Sequence, residues 1–492
     1  MTSLWHAYST GIDTDAAAPD SSDVVVVGAG LAGLTTALLL SRAGVSVTVL
    51  EARTIGAVTT GNTTGKVSLL QGAALQGIAE HNDAQVVGAY VTANRAGQAW
   101  LRQYLGTIGA EERDRDAWSI AFTQQGRETL ERELEVAREA GLDVDWAETT
   151  ELPFTTTGGI RLAGQFQIDP MPVLAAMVRE LRERGAAVVQ NARVTEFEVD
   201  GDRVRVTLHG HEVSASRVVI ATGMPVTFRG AYFARLEPNR SYASAYRVPG
   251  PLPQAMYLSV DSPSRSLRTA TFGDQQFLVA GGPGHIVGRE RSPKRLVEEL
   301  DAWVKQHFPG AVREYTWSAQ DYRALDHAPY VGRATPGDER IYVATGFNKW
   351  GMANSVAAAL TLSARLSGAA APDWATALYD RPTTLPDAAE AVRVNATVGG
   401  NLAKEWAMTL FKAAPDAALA EGEGRVFGEG LHPRGRSVVD GVATEVSAVC
   451  THLGGVLSWN DAECTWDCPL HGSRFAADGS RLEGPAVKDL GH

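Results

Sequence analysis

Cysteine is nearly absent from this chain: three in 492 residues, all between positions 450 and 468. An odd number confined to one short segment does not make the disulfide framework of a secreted domain, so the cysteines are expected to do chemistry in a cytoplasmic protein. Long apolar runs are also lacking. Nothing approaches the roughly eighteen uninterrupted apolar residues of a membrane span, and no transmembrane segment is expected. The opening MTSLWHAYSTGIDTDAAAPDSSD has neither the basic start nor the apolar core of a signal peptide. Positive charge is in deficit, with 45 Lys and Arg against 57 Asp and Glu, which argues against nucleic acid as a partner. The length implies two or three domains.

What is present begins with DVVVVGAGLAGLTTALLLSRAGVSVTVLEAR. Val24–Val27 read as a buried parallel strand, Leu31–Arg42 as a helix closed by Gly44, and Val45–Leu50 as the next strand. Between strand and helix stand Gly28, Gly30 and Gly33 in the spacing G-x-G-x-x-G. Gly28 permits the tight turn, Gly30 lets the backbone approach a pyrophosphate, and Gly33 lets helix and strand pack closely. The helix N-terminus offers unpaired N–H groups to phosphate, and Glu51 stands where an acid accepts hydrogen bonds from a ribose.

The motif alone does not separate FAD from NAD. Its place near the N-terminus, with further nucleotide-domain strands returning after long excursions, favours FAD. The chain has no second G-x-G-x-x-G, VAGGPGHIVG at Val279 having the wrong spacing, which disfavours reduction by NAD(P)H. It has no C-x4-C redox disulfide, no G-x4-G-K-[ST] loop and no Ser-His-Asp arrangement.

Residues 22 to about 370 resemble the D-amino-acid oxidase superfamily of flavoproteins. The likeness is carried by the front motif with Glu51-Ala52-Arg53, TTGNTTGKV from Thr59 to Val67, VVIATG from Val218, DHAPYVGR from Asp326 and VATGFNKWGM ending at Met352. It implies an α/β Rossmann-type FAD domain (22–80, 165–223, 326–371) interleaved with an α+β substrate domain (81–164, 224–325), after a leader of residues 1–21. It also implies contacts. Gly61–Lys66, with Thr64 and Lys66, should lie near the flavin or its pyrophosphate, Val194 should meet the adenine, and Arg53, Thr222 and Gly223 should border the cofactor. Gly346, Lys349, Gly351 and Met352 should bring backbone N–H groups to the N1/C2=O edge of the flavin, where the reduced ring carries its charge. No cysteine stands in this domain for a thioether, and non-covalent FAD is expected. Lys349, Trp350 and His327 are the candidate catalytic residues, beside Arg323, Asp326 and Tyr330; each has a plain alternative as a salt bridge, a packed ring or a structural histidine. The superfamily needs no obligatory protein base, and none is assigned.

From about residue 372 to 424 the texture turns to Ala, Pro, Asp and Glu, read as a linker with one helix over Leu402–Lys412. Residues 425–492 then show short strands and Gly turns, a small all-β domain. Within it, Cys450-x-His452 and Cys468-x-x-His471 form two pairs. Two thiolates and two imidazoles can hold zinc in a tetrahedron or a [2Fe–2S] cluster. Zinc fingers usually put one ligand type on each turn, whereas here each turn carries a Cys and a His. With CTHLGG, WDCPLHGSRF and EGPAV the segment resembles Rieske domains, which implies one [2Fe–2S] cluster on Cys450, His452, Cys468 and His471. Many Rieske domains join their two loops by a disulfide at the positions held here by Gly455 and Leu470, so that link is impossible. Cys464 reads as a bystander. Ser473 can donate to the cluster and Phe475 cannot, which implies a potential below that of quinol-oxidising relatives. Gly484-Pro485 is expected to cover the cluster.

A flavin accepts a hydride and a Rieske cluster carries one electron. The leading reading is an FAD-dependent oxidoreductase that oxidises a small amine, amino acid or related metabolite and passes electrons singly through the cluster to a carrier such as ferredoxin or a quinone. Two alternatives stay open: a ferredoxin-fed reductive or oxygenase-supporting flavoprotein, and a non-catalytic electron-transfer or redox-sensing protein.

Overall fold

The structure, a computed structural model, describes residues 1–491 except 111, 209, 382–392, 394–399, 401–405, 407 and 415–417. The β-branched run of Ser21–Val27 becomes the centre of a parallel sheet because both its faces are covered. Val24 to Val27 are 4% exposed or less. Val47–Leu50 lies on one side in the register Val24↔Val47, and His211–Ile220 on the other in the register Val25↔Val218. Ala187–Val189 and Ile341–Thr345 extend the sheet, Tyr330–Arg333 closes one edge antiparallel, and the hairpin of Glu196–Asp200 and Arg203–Leu208 is added to His211–Ile220. Helices Leu31–Arg42 and Gly351–Ser367 pack together on one face.

Helix Ala84–Ile108 joins that helical layer. Its Gly97 approaches so closely that a Cβ there would lie 2.3 Å from the Ala353 carbonyl oxygen. Buried amides reinforce the contact, with Asn94 Nδ2 donating to Asn354 Oδ1 at 3.0 Å. A segment placed by sequence in the substrate part therefore packs on the nucleotide part. Its charges and its distance from the glycine motif gave no sign of this.

The second sheet has nine strands, with Val312–Ala324, Leu236–Arg247 and Gln275–Ile286 along one end and Arg113–Ile120, Gly159–Gln167 and Lys66–Val67 at the other. The first residues of the 1–21 segment are anchored on the flavoprotein domain. Leu4 and Trp5 are buried, Ser3 Oγ donates to the Gly61 carbonyl at 2.6 Å, and Trp5 Nε1 donates to the Thr63 carbonyl at 2.6 Å. The polar composition of the segment hides these two anchors.

Of the helix expected over Leu402–Lys412, Trp406 and Met408–Leu410 are helical, and 402–405 and 407 lie outside the described residues. The C-terminal domain consists of a three-stranded sheet (Gly424–Glu429, His432–Val439, Val442–Ser447) and a four-stranded one (Ser458–Asn460, Thr465–Asp467, Arg474–Ala476, Arg481–Glu483). Trp466 and Phe475 are fully buried between them. No helix among the described residues is long and apolar enough to cross a membrane.

Candidate functional site

A groove runs over the carboxyl ends of the parallel strands, where ligands bind in open α/β sheets. The glycine turn shapes its floor. A Cβ on Gly33 would lie 1.9 Å from the Gly28 carbonyl oxygen, so only glycine allows this helix and strand to touch. Helix Leu31–Arg42 begins at Gly30, which offers no side-chain cap; the Leu31 N–H donates to Thr60 Oγ1 at 3.1 Å, and the first turn at Leu31 and Ala32 borders the groove. Glu51 accepts from the Ala29 N–H at 2.8 Å and the Arg53 N–H at 2.9 Å. Burial pushes its carboxyl up and these bonds oppose that.

Of the residues expected at the cofactor, Gly28, Gly30, Glu51, Arg53, Val194, Thr222, Gly223, Gly346, Lys349, Gly351 and Met352 line this groove. Three do not. Gly33 serves packing. Thr64 is turned away, its carbonyl accepting from Arg268 Nη1 at 2.7 Å. Lys66 points into the second sheet, donating to the Tyr257 carbonyl at 2.7 Å and to Ser266 Oγ. Burial, helped by Arg268, holds Lys66 down to about 7. Both residues follow the turn that touches the groove, and the strand Lys66–Val67 that comes next pairs with Gly159–Gln167 instead. Of the expected span only Thr63 lines the groove, joined by Thr59 and Thr60 just before it.

At the far end the chain passes from Ile341–Thr345 through Gly346 (φ +78°), Asn348 (φ +47°) and Lys349 (φ +69°) into helix Gly351–Ser367. Two consecutive non-glycine residues in the left-handed region mark a held, strained turn. It aims the uncapped helix N-terminus at the groove. Trp350 is the helix N-cap, half-buried and outside the groove lining. His327 is also away from it: its ring stacks on His81 at 5.1 Å and lies 3.3 Å from Arg323 Nη1. Burial, with Arg323 and His81, lowers His327 to about 4. Of the three candidate catalytic residues, only Lys349 reaches the groove.

Sequence reasoning missed Arg193, Asp321 and Tyr322, which line it too. Asp321 Oδ2 is buried without a hydrogen-bond partner. Burial raises its carboxyl to about 6 against the pull of Lys349 and Arg323. The Tyr322 ring fills the space over Gly223, where a Cβ would lie 2.8 Å from Tyr322 Cε2. Strand register decides these positions, and no local motif announces it.

The two cysteine loops fold alike. In the first, the Cys450 carbonyl accepts from the Gly454 N–H at 3.0 Å and the Cys450 N–H donates to the Gly455 carbonyl at 2.8 Å. In the second, the Cys468 carbonyl accepts from Gly472 at 3.1 Å and the Cys468 N–H donates to Ser473 at 2.8 Å. Gly454 (φ +73°) and Gly472 (φ +79°) occupy the same left-handed position in each. The loops bring the cysteines side by side, and a hydrogen bond from Cys468 holds the Cys450 thiol below its ordinary value. The imidazoles of His452 and His471 meet at 5.2 Å between ring centres. Burial lowers both to about 4, leaving them neutral, as metal ligands must be. His452 Nδ1 is buried with no partner, an orphan that a metal would satisfy.

Where other such domains have a disulfide, a Cβ on Gly455 would lie 2.7 Å from Leu470 Cδ1, so an apolar contact joins the loops. Ser473 Oγ accepts from the Ala486 N–H at 2.9 Å, tying in the loop that follows Gly484-Pro485. Cys464 stands apart in a turn at φ +54°.

Residues 23–365 match the family described as FAD dependent oxidoreductase, and residues 424–491 match the Rieske [2Fe-2S] domain. The chain belongs to the FAD dependent oxidoreductase family. It carries a Rieske domain as well, and its cofactors are FAD and one [2Fe–2S] cluster. It is 28% identical over 476 residues to the Rieske 2Fe-2S iron-sulfur protein YhfW of Bacillus subtilis, covering 95% of this chain and 92% of that one. It is 25% identical over 350 residues to a glycine oxidase of Bacillus licheniformis, covering 66% of this chain and 87% of that one. Among solved structures, glycine oxidase from Geobacillus kaustophilus superposes with a TM-score of 0.62 at 18% identity, covering 75% of this chain and 99% of that one.

The Rieske domain is docked on the flavoprotein domain. Its residues Leu482, Glu483 and Gly484 form part of the groove wall. Arg240 of the second sheet pairs with Glu463 and Glu483, and Arg474 pairs with Glu463, Asp467 and Glu483, all deeply buried. Asp461 accepts from Ser292 Oγ at 2.6 Å and from the Lys294 N–H at 2.9 Å, capping helix Pro293–His307. Phe233 packs edge-on against both His452 and His471, and Phe228, 62% exposed, stacks on His452.

Proposed function

We propose that this flavoprotein oxidises a small amine or amino acid in the groove and delivers the electrons singly, through the Rieske cluster, to a one-electron carrier such as a ferredoxin or a quinone. The observation that carries the reading is the shared wall: Leu482–Gly484 belong to the cluster domain and border the flavin groove. A separate electron-transfer module has no need to build part of a substrate-oxidising site. The likeness to glycine oxidase supports the substrate class.

Bound FAD supplies the two-electron acceptor. The chain's part is to hold it, and among the described residues no cysteine or histidine lines the groove, in keeping with a non-covalent cofactor. Glu51 and the N-terminus of Leu31–Arg42 suit the ribose and pyrophosphate. The N–H groups of Gly351 and Met352 suit the edge that gains negative charge. Asp321 offers one carboxylate oxygen, Oδ2, without a partner, which can take a proton or an ammonium group from substrate.

The test is anaerobic mixing of the purified holoprotein with a panel of small amines and amino acids. Bleaching of the flavin band together with a reduced-Rieske electron paramagnetic resonance (EPR) signal is expected. Bleaching that leaves the cluster oxidised would refute the transfer, and no bleaching across the panel would refute the substrate class.

A further inference from the structure

Gln320 lies on Val312–Ala324 between the groove and the cluster domain. It is fully buried, and its side-chain nitrogen makes two hydrogen bonds, donating to Tyr322 Oη at 2.8 Å and to the Gly472 carbonyl at 2.8 Å. Tyr322 lines the flavin groove, and Gly472 directly follows the cluster ligand His471. Gln320 Oε1 accepts from Arg240 Nη1 at 3.4 Å, so the guanidinium fixes which end of the amide faces the cluster loop. Its backbone is pinned to the groove as well, the Gln320 carbonyl accepting from Thr59 Oγ1 at 2.6 Å. The contact with the loop is tight: a Cβ on Gly472 would lie 2.9 Å from Gln320 Nε2 and 2.5 Å from Pro238 Cβ.

We infer that Gln320 is the coupling residue between the two cofactors, the side chain through which Tyr322 and the Gly472–Ser473 peptide, next to the ligand His471, form one hydrogen-bonded path from flavin groove to cluster. This rests on the proposed transfer from flavin to cluster and adds its route. In the step, one electron leaves the two-electron-reduced flavin and one enters the cluster, taking one ferric iron to ferrous. The second follows when an external one-electron carrier has emptied the cluster. Gln320 gains and loses no electron or proton. Its part is positional, replacing a gap between two buried surfaces by two short hydrogen bonds in a dry, polarisable setting.

The test uses the full-length holoprotein, with flavin reduced by a light pulse in the presence of a sacrificial donor. The cluster's visible band is followed in time, and its EPR g-values are recorded at the end. Gln320→Leu keeps the volume and removes both bonds. It is expected to slow internal transfer severalfold, with unchanged g-values and flavin spectrum. Tyr322→Phe, which keeps the ring over Gly223 and removes only the hydroxyl, is expected to slow it less. A Gln320→Leu rate equal to wild type would overturn the route while leaving the transfer itself standing. Altered g-values would also overturn it, because the glutamine would then act on cluster geometry. No transfer in the wild-type protein would overturn the route together with the function it rests on.

Discussion

Arg240 of the second sheet grips Glu463 of the Rieske domain with both arms of its guanidinium, Nε to Oε1 at 2.5 Å and Nη2 to Oε2 at 2.6 Å. The pair is buried at the boundary of the two domains, and Glu483 and Arg474 complete the cluster of charges. Removing one partner of such a group leaves charge buried without compensation, at a cost of about 3–5 kcal/mol.

Arg240→Met is therefore expected to loosen docking far more than it disturbs either fold. Differential scanning calorimetry should show two separated transitions where the wild type shows one. Burial opposes ionisation of Glu463 and Glu483, but Arg240 and Arg474 outweigh it and hold both carboxyls below the usual value. A lowered folded-state pKa contributes stability that is complete above about pH 4.5 and fades as pH falls toward the folded value. The gap between wild type and variant should be constant from pH 8 to 5 and shrink below about pH 4.5.

Asp321 has the opposite sign. Burial raises its carboxyl to about 6, so between about pH 4 and 6 the folded chain keeps a proton that the unfolded chain has released. Its contribution is present below about pH 4 and lost as pH rises through about 6. Asp321→Asn should gain stability relative to wild type by up to about 3 kcal/mol at pH 8, and by little at pH 4. A pH titration of the flavin absorbance should lose its inflection near 6 in the variant.

Gly33→Ala should expel the flavin. The added methyl meets the Gly28 carbonyl at 1.9 Å, and backbone cannot swing aside as a side chain can. Overpacking of about 1–3 kcal/mol, placed at the pyrophosphate turn, is expected to lower the flavin-to-protein ratio measured after gel filtration.

Cys468→Ser should abolish the Rieske EPR signal and leave FAD bound. The wall Leu482–Gly484 is held by Arg240 and Arg474 through Glu483, and that grip does not pass through the cluster. Flavin lost along with iron would show instead that the cluster itself holds the wall in place.

What could be read from the chain was whatever one turn contains. The G-x-G-x-x-G turn and the paired Cys and His loops carry their geometry within a few residues, so spacing together with the resemblance of the flanking residues pointed to them. Lys66 and Thr64 went astray because nearness in sequence to the Thr59–Thr63 turn says nothing about where the next strand is recruited. The anchors Leu4 and Trp5 within residues 1–21 give no periodic signal because polar neighbours dilute them. Asp321, Gln320 and Tyr322 acquire meaning only from the register of Val312–Ala324 against Leu236–Arg247. Leu482–Gly484 acquire theirs only from docking. Both are long-range facts to which hydrophobic periodicity is blind.

The central strand Ser21–Val27 pairs with His211–Ile220, which in turn pairs with Ile341–Thr345. On a ribosome adding about 5–20 residues per second, the first strand waits on the order of 10–40 s for His211–Ile220 to cover its open edge. Through that interval an apolar valine edge stands open to other chains. Slower growth temperature or added chaperone should therefore raise the yield of flavin-loaded protein more than any gain in the stability of the finished fold.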